Sequence, residues 1–229
     1  MSYRVIAAVL TLVLGAPAVA ETIAVIGTGD VGGALGPEFA AQGHTIVYGS
    51  RDPQRGKVKE LVEKTGDLAS ATTPAEAAAQ ADIVVLAVPG LMVEEITKSL
   101  GDLSGKIIID PTNPLERRMN RLEHAVDTSN AEIIQAAAPG AYVVKAFNTL
   151  NWRTMVDPSS AGGPVSIPLV GDNGRAKKIV AELVAGMGLE PIDVGPLRDA
   201  RWVEGMLILW INNRYGDKRT SFDYHLRAN

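Results

Sequence analysis

The chain has 229 residues, 46% of them hydrophobic, and a formal net charge of −4 at neutral pH. An acidic balance without a basic stripe lacks the electrostatic footprint of a nucleic-acid binder. Zero cysteines exclude disulfides, iron–sulfur clusters and thiol catalysis, and His44, His124 and His225 share no spacing that would build a structural zinc site.

In chain order, residues 1–20 stand apart from the fold. Arg4 supplies a positive start, Val5 to Gly15 an uncharged apolar run, and Ala18-Val-Ala20 a small-residue cleavage site. This reads as a secretory signal peptide with Glu21 as the first mature residue, and so as export to the periplasm or the extracellular space. An uncleaved anchor, or a cytoplasmic protein with an unprocessed extension, are the other readings. The run is short for a bilayer, so no stable membrane span is expected.

Thr22 to Ile26 is an apolar, β-branched run of the kind that forms a strand buried on both faces. Gly27, Gly29 and Gly32 follow at G-x-G-x-x-G spacing, with Thr28, Asp30 and Val31 between them, and a helix continues through Ala41. In that strand–turn–helix setting the glycines permit a tight turn, close approach of a diphosphate, and close packing of helix on sheet. The free N–H groups of the first helical turn then make an anion site. Asp30 is expected to turn aside and accept backbone hydrogen bonds at the helix start.

His44 to Tyr48 reads as the second strand. Its end carries Gly49-Ser50-Arg51, with no carboxylate before Asp52, whereas an NAD site wants an acid there for the ribose 2′-OH. Ser50, Arg51 and Arg55 suit a 2′-phosphate, which a guanidinium grips through two parallel N–H groups. An ordinary solvated basic turn is the competing reading. Placement relative to the glycines favours the phosphate, and NADP(H) over NAD(H).

Helices are expected over residues 57–65, 74–81 and 91–100, with a short strand at 69–72. Asp82 to Val88 forms a buried strand ending at Pro89-Gly90. Ala87, Val88 and Pro89 would lie at the carboxyl edge of the sheet, where open α/β folds bind ligands. Lys106 to Asp110 is a further strand running into Pro111-Thr-Asn113-Pro114. Tyr142 to Asn148 repeats the pattern: an apolar strand with Lys145 inside it, then Ala146, Phe147 and Asn148. The two asparagines can each donate and accept at a stiff strand end, although singly each is also a common turn-former.

Gly27-Thr-Gly-Asp-Val-Gly32, Gly49-Ser-Arg51, Asp110-Pro-Thr-Asn-Pro114 and Val144-Lys-Ala-Phe-Asn148 together resemble the NADPH-dependent deazaflavin (coenzyme F-420) reductases. They resemble equally the cytoplasmic oxidoreductase domain of STEAP metalloreductases. Val170-Gly-Asp172, Ala185-Gly-Met-Gly188 and Pro191-Ile-Asp-Val-Gly195 extend the likeness over the mature chain. The resemblance implies NADP(H) held by Thr28 to Val31, Ser50, Arg51 and Arg55. It also implies a flavin or deazaflavin acceptor beside the nicotinamide, near Asn113, Lys145 to Asn148 and the C-terminal region.

Residues 151–163 read as a loop, followed by a strand at 165–171, a helix at 175–188, a strand at 190–194 and a helix at 197–214. That last helix, rich in Trp202, Met206, Leu207, Leu209 and Trp210, reads as core packing or a dimer face, one end of which would cover the acceptor pocket; a homodimer is expected. The expected architecture is a Rossmann-type doubly wound, mostly parallel sheet over residues 21–150. A small α/β extension over 151–229 would complete the acceptor site. The expected reaction is hydride transfer between two bound rings, with no side chain essential for proton transfer. Reduction of a small imine or ketone, with Lys145 as proton donor, and a non-catalytic NADP-binding sensor are the alternatives.

Overall fold

A computed structural model of the chain describes residues 20–215 and 222–227. The segment read from the sequence as a signal peptide lies, up to residue 19, outside the described residues, as do residues 216–221 and 228–229. β1 (Thr22–Ile26) is followed by α1 (Asp30–Ala41), β2 (Thr45–Gly49), α2 (Gly56–Thr65), β3 (Ala69–Thr72), α3 (Pro74–Gln80) and β4 (Ile83–Leu86). A 3-10 turn (Gly90–Met92) leads into α4 (Val93–Ser99) and β5 (Ile107–Asp110). Next come the hairpin β6 (Leu115–Arg118) and β7 (Arg121–His124), α5 (Asn130–Ala137) and β8 (Tyr142–Lys145). Then follow α6 (Trp152–Val156), β9 (Ser166–Val170), α7 (Gly174–Gly186), β10 (Glu190–Gly195) and α8 (Ala200–Tyr215).

Eight strands join in one sheet of order β10-β9-β8-β5-β4-β1-β2-β3. All the pairings are parallel except β8 with β9, which meet antiparallel through Lys145 and Val170. The six strands from β3 to β8 reproduce the 3-2-1-4-5-6 order of a dinucleotide fold, and β9 and β10 extend it. This is the mostly parallel, doubly wound α/β sheet expected from the sequence.

Strand alternation explains the two cores. Ile23 and Val25 face the layer of α1 and α7, meeting Leu35, Phe39, Val180 and Leu183. Ala24 and Ile26 face the opposite layer with Ala77, Val93, Ile134 and Val203. Each large side chain so buried contributes about 1.5–3 kcal/mol, enough to fix the register of the central strands. Polar caps set the helix starts. Thr73 and Glu76 form a reciprocal capping box ahead of α3, with Pro74 in its first turn. Asn173 accepts from the Ala176 N–H at 2.9 Å to begin α7.

Four local differences from the expectation stand out. Helix α1 begins at Asp30, before the third glycine. Residues 115–124 form a hairpin, 130–137 a helix, and the stretch read as a loop contains α6. The hairpin is polar and turns at Met119, which adopts φ 53° where glycine or asparagine would be usual, so it lacks the ordinary turn signature. Helix α5 does carry a signal: Ser129 accepts from the Glu132 N–H at 3.2 Å and donates to its carboxylate at 2.8 Å, a capping spacing legible in the sequence.

Candidate functional site

The strand order reverses between β1 and β4, so the connections leaving these strands diverge and open a crevice at the carboxyl edge. Gly29 to Val31, Ala87, Val88, Pro111 and Thr112 line a cleft there of about 170 Å³. Two glycines are required by packing. Gly27 has φ +101°, and a Cβ on it would stand 2.1 Å from the Ala87 carbonyl oxygen, so the two walls meet only because it has no side chain. A Cβ on Gly32 would lie 2.0 Å from the Gly27 oxygen, which brings the first turn of α1 down onto the end of β1.

Gly29 is the N-cap of α1, and no side chain caps that helix. The N–H groups of its first turn therefore carry the partial positive charge of the helix dipole with no side chain hydrogen-bonded to them, although the Asp30 carboxylate lies in the same turn. Asp30 does not play the part expected of it. Its exposed carboxylate lines the cleft and accepts no backbone hydrogen bond among the described residues, because Gly29 takes the N-cap position.

The second strand ends beside this loop. Ser50 is nearly buried; its N–H donates to the Thr72 carbonyl at 2.9 Å and its hydroxyl to the Asp52 carbonyl at 3.1 Å. Arg55 heads α2 and reaches back to donate to Thr28 Oγ1 at 3.3 Å, so the basic turn and the glycine loop touch. Arg51 is exposed and has no ion pair among the described residues. The Asp52 carboxylate is engaged with the Gln54 N–H at 3.1 Å. Tyr48, just upstream, lies wholly in the core against Thr65, and burial pushes its phenol up to about 12, so it stays neutral.

On the far wall, Ala87 and Val88 are half-buried and Pro89 is exposed. The two strand-end asparagines meet: Asn113 Nδ2 donates to the Asn148 carbonyl at 3.2 Å, and Asn148 Nδ2 donates to Asn113 Oδ1 at 3.0 Å. Asn148 also donates to the Val203 carbonyl of α8 at 3.2 Å, while its own buried Oδ1 has no partner. Phe147 makes this possible by adopting φ 63°, a left-handed conformation uncommon outside glycine, while its ring packs edge-on against Phe39. Ala146 and Pro114 are buried beneath the same edge.

Lys145 has no solvent exposure. Its ammonium lies 2.7 Å from Asp110 Oδ2, 2.6 Å from Glu204 Oε1 and 2.5 Å from the Thr112 carbonyl. All three of its hydrogens are committed within the protein. Of the residues around it, Asp110 and Thr112 belong to the Asp110–Pro114 motif but were given no role from the sequence, and Asn130 and Glu204 were not singled out from it. Glu204 carried a signal, since it falls at helical spacing on the stripe Ala200, Val203, Leu207 and Trp210; Asn130 carried none.

Among the described residues no group of three histidines or acids could hold a metal ion, and no helix is long and apolar enough to cross a membrane. The polar groups suit a dinucleotide instead: uncapped N–H donors at a helix start, two guanidinium groups nearby, and an unpartnered amide oxygen, an acceptor, at the adjoining strand end.

Comparison with known proteins agrees with this geometry. The profile of a family described as NADP oxidoreductase, coenzyme F420-dependent, matches residues 22–114. The F420-dependent NADP reductase of Methanothermobacter marburgensis is 30% identical over 209 residues, covering 83% of this chain and 91% of that protein. Metalloreductase STEAP3 of Rattus norvegicus is 32% identical over 191 residues, but the chain spans 37% of its length. A crystal structure from Arthrobacter sp. FB24, provisionally assigned as an F420-dependent NADP reductase, superposes with a TM-score of 0.80. It shares 32% identity and covers 90% of this chain and 100% of its own.

Proposed function

The chain belongs to the family of coenzyme F420-dependent NADP oxidoreductases, and from that premise we propose that it transfers a hydride between NADP(H) and a flat flavin or deazaflavin acceptor. The observation that carries the reading is the uncapped start of α1 facing the β1–β4 crevice, with Arg51 and Arg55 at the neighbouring strand end. The amides from Thr28 to Gly32 would hold the diphosphate, and Arg51, Arg55 and the Ser50 turn the 2′-phosphate.

The nicotinamide supplies the hydride when the dinucleotide is bound. Everything else asked of the chain is placement. Ala87, Val88 and Pro89 would give the bound ring an apolar wall to lie against. Asn113 and Asn148, tied to each other and to α8, would present amides to the reacting ring. Holding two rings with donor and acceptor carbons about 3–3.5 Å apart contributes most of the acceleration in such a reaction. Lys145 is fully committed to Asp110, Glu204 and Thr112, which argues against it as the proton donor of an imine or ketone reductase.

The test is NADPH oxidation with coenzyme F420, FMN, FAD and ferric citrate as separate acceptors. Reduction of F420 or a flavin supports the proposal. NADPH binding without oxidation by any of the four overturns it in favour of a sensor, and no binding removes both readings.

A further inference from the structure

Glu204 occupies a position on α8 that helical periodicity gives to an apolar residue. It lies on the buried stripe with Ala200, Val203 and Leu207 and has no solvent exposure. A carboxylate is tolerated there only when donors match its lone pairs. Oε1 receives the Lys145 ammonium at 2.6 Å and the Asn130 N–H at 2.9 Å, and Oε2 lies 2.7 Å from His124 Nε2. The other His124 nitrogen faces the Val126 carbonyl at 2.7 Å, so the ring stands between two acceptors.

Two routes run from this carboxylate to a single residue of the cleft. Lys145 donates to the Thr112 carbonyl at 2.5 Å, and Asn130 Nδ2 donates to Thr112 Oγ1 at 2.8 Å. Asp110 closes the arrangement by accepting the Thr112 N–H and hydroxyl at 2.8 and 2.7 Å. The Thr112 hydroxyl thus has its proton directed to Asp110 and one lone pair to Asn130, which leaves it no freedom to rotate. The Asn130 amide also donates to the Gly90 carbonyl at 2.9 Å, and Gly90 follows directly on the opposite wall, Ala87 to Pro89. One buried charge therefore holds both loops that flank the crevice.

We infer that Glu204 is a positioning residue of the cleft: through Lys145 and Asn130 it fixes the Thr112 and Gly90 loops, and with them the depth and tilt available to a bound ring. The ring rests on the function proposed above; the coupling of the loops does not. Glu204→Gln keeps the shape and removes the charge. In the ligand-free protein, its amide hydrogen exchange over residues 88–92 and 110–114 should quicken at least about tenfold, while residues 22–33 stay within about twofold. Glu204→Asp, which keeps the charge but shortens the reach, should show the same selective pattern more weakly and serves if the glutamine variant does not fold. Unchanged exchange in the two loops, or a rise spread evenly over the chain, overturns the inference.

A second measurement separates positioning from general support. Single-turnover oxidation of bound NADPH by coenzyme F420 is followed in Glu204→Gln, Thr112→Val and the double variant. If Glu204 acts through Thr112, the double variant slows no more than about threefold beyond the slower single, whereas fully multiplicative slowing overturns the route. NADPH affinity of Glu204→Gln should stay within about threefold, because the partners of Glu204 are Lys145, Asn130 and His124 rather than the glycine loop or the basic turn. A parent protein that binds no NADPH would refute the proposed function and leave hydrogen exchange to decide the inference.

Discussion

At the scale of single residues, the glycine loop separates two demands that one motif combines. Gly27 is required by the protein itself, through a positive φ and the Ala87 carbonyl 2.1 Å from any Cβ. Gly29→Ala meets no atom within 4 Å and keeps an ordinary extended backbone at φ −84°. Gly27→Ala should therefore destabilise by roughly 1–3 kcal/mol, read as a Tm lowered by about 2–4 °C per kcal/mol. Gly29→Ala should leave Tm within about 1 °C and raise the NADPH Kd at least about tenfold, a loss of ~1.4 kcal/mol. Unimpaired NADPH binding by the second variant would remove the diphosphate from this turn. Arg51→Asp should weaken NADPH by roughly 10–100-fold, the worth of a charged hydrogen bond, and NADH far less. Equal loss for both nucleotides, by calorimetry, would leave Arg51 as a solvated turn.

At the scale of elements, the strands and helices that build the crevice were legible because each carries its own signal. β1 and β4 are unbroken apolar runs, and α3 shows its capping box in the sequence. The hairpin was not legible, since its polar alternation is stabilised by contacts with α8: Asn212 accepts the Leu122 N–H at 3.0 Å and donates to its carbonyl at 2.7 Å. The joint between β5, β8 and α8 is an ion chain, with Asp110 and Glu204 on either side of Lys145 and none of the three exposed. Lys145→Met would leave two buried carboxylates without their cation, a loss of about 3–5 kcal/mol in denaturant-induced unfolding. A loss below about 1 kcal/mol would mean that the chain is solvated or absent in solution.

At the scale of the whole molecule, the sheet determines where titration affects stability. His44 is buried at the start of β2, and its Nδ1 accepts the Glu21 N–H at 3.1 Å, which requires the neutral ring. Burial holds its pKa below the ordinary 6.5. As pH falls below 6.5 the unfolded chain takes up a proton that the folded chain resists. Stability should drop through that window and level off below the folded value. Glu21 opposes this, since burial and Asp82 raise its carboxyl pKa. The difference between the parent and His44→Asn unfolding curves isolates the imidazole, and identical pH slopes would count against its burial. The amino-acid sequence alone determined the doubly wound fold, the glycine loop and the basic turn, because strand hydrophobicity and turn chemistry act over a few neighbouring residues. Only the tertiary structure decided that Asn113 meets Asn148, that Lys145 is committed inward, and that Glu204 ties the distant α8 to both walls of the crevice. Those contacts join residues 35 to 74 positions apart, and a buried charge reveals its partners only once the chain has closed around it.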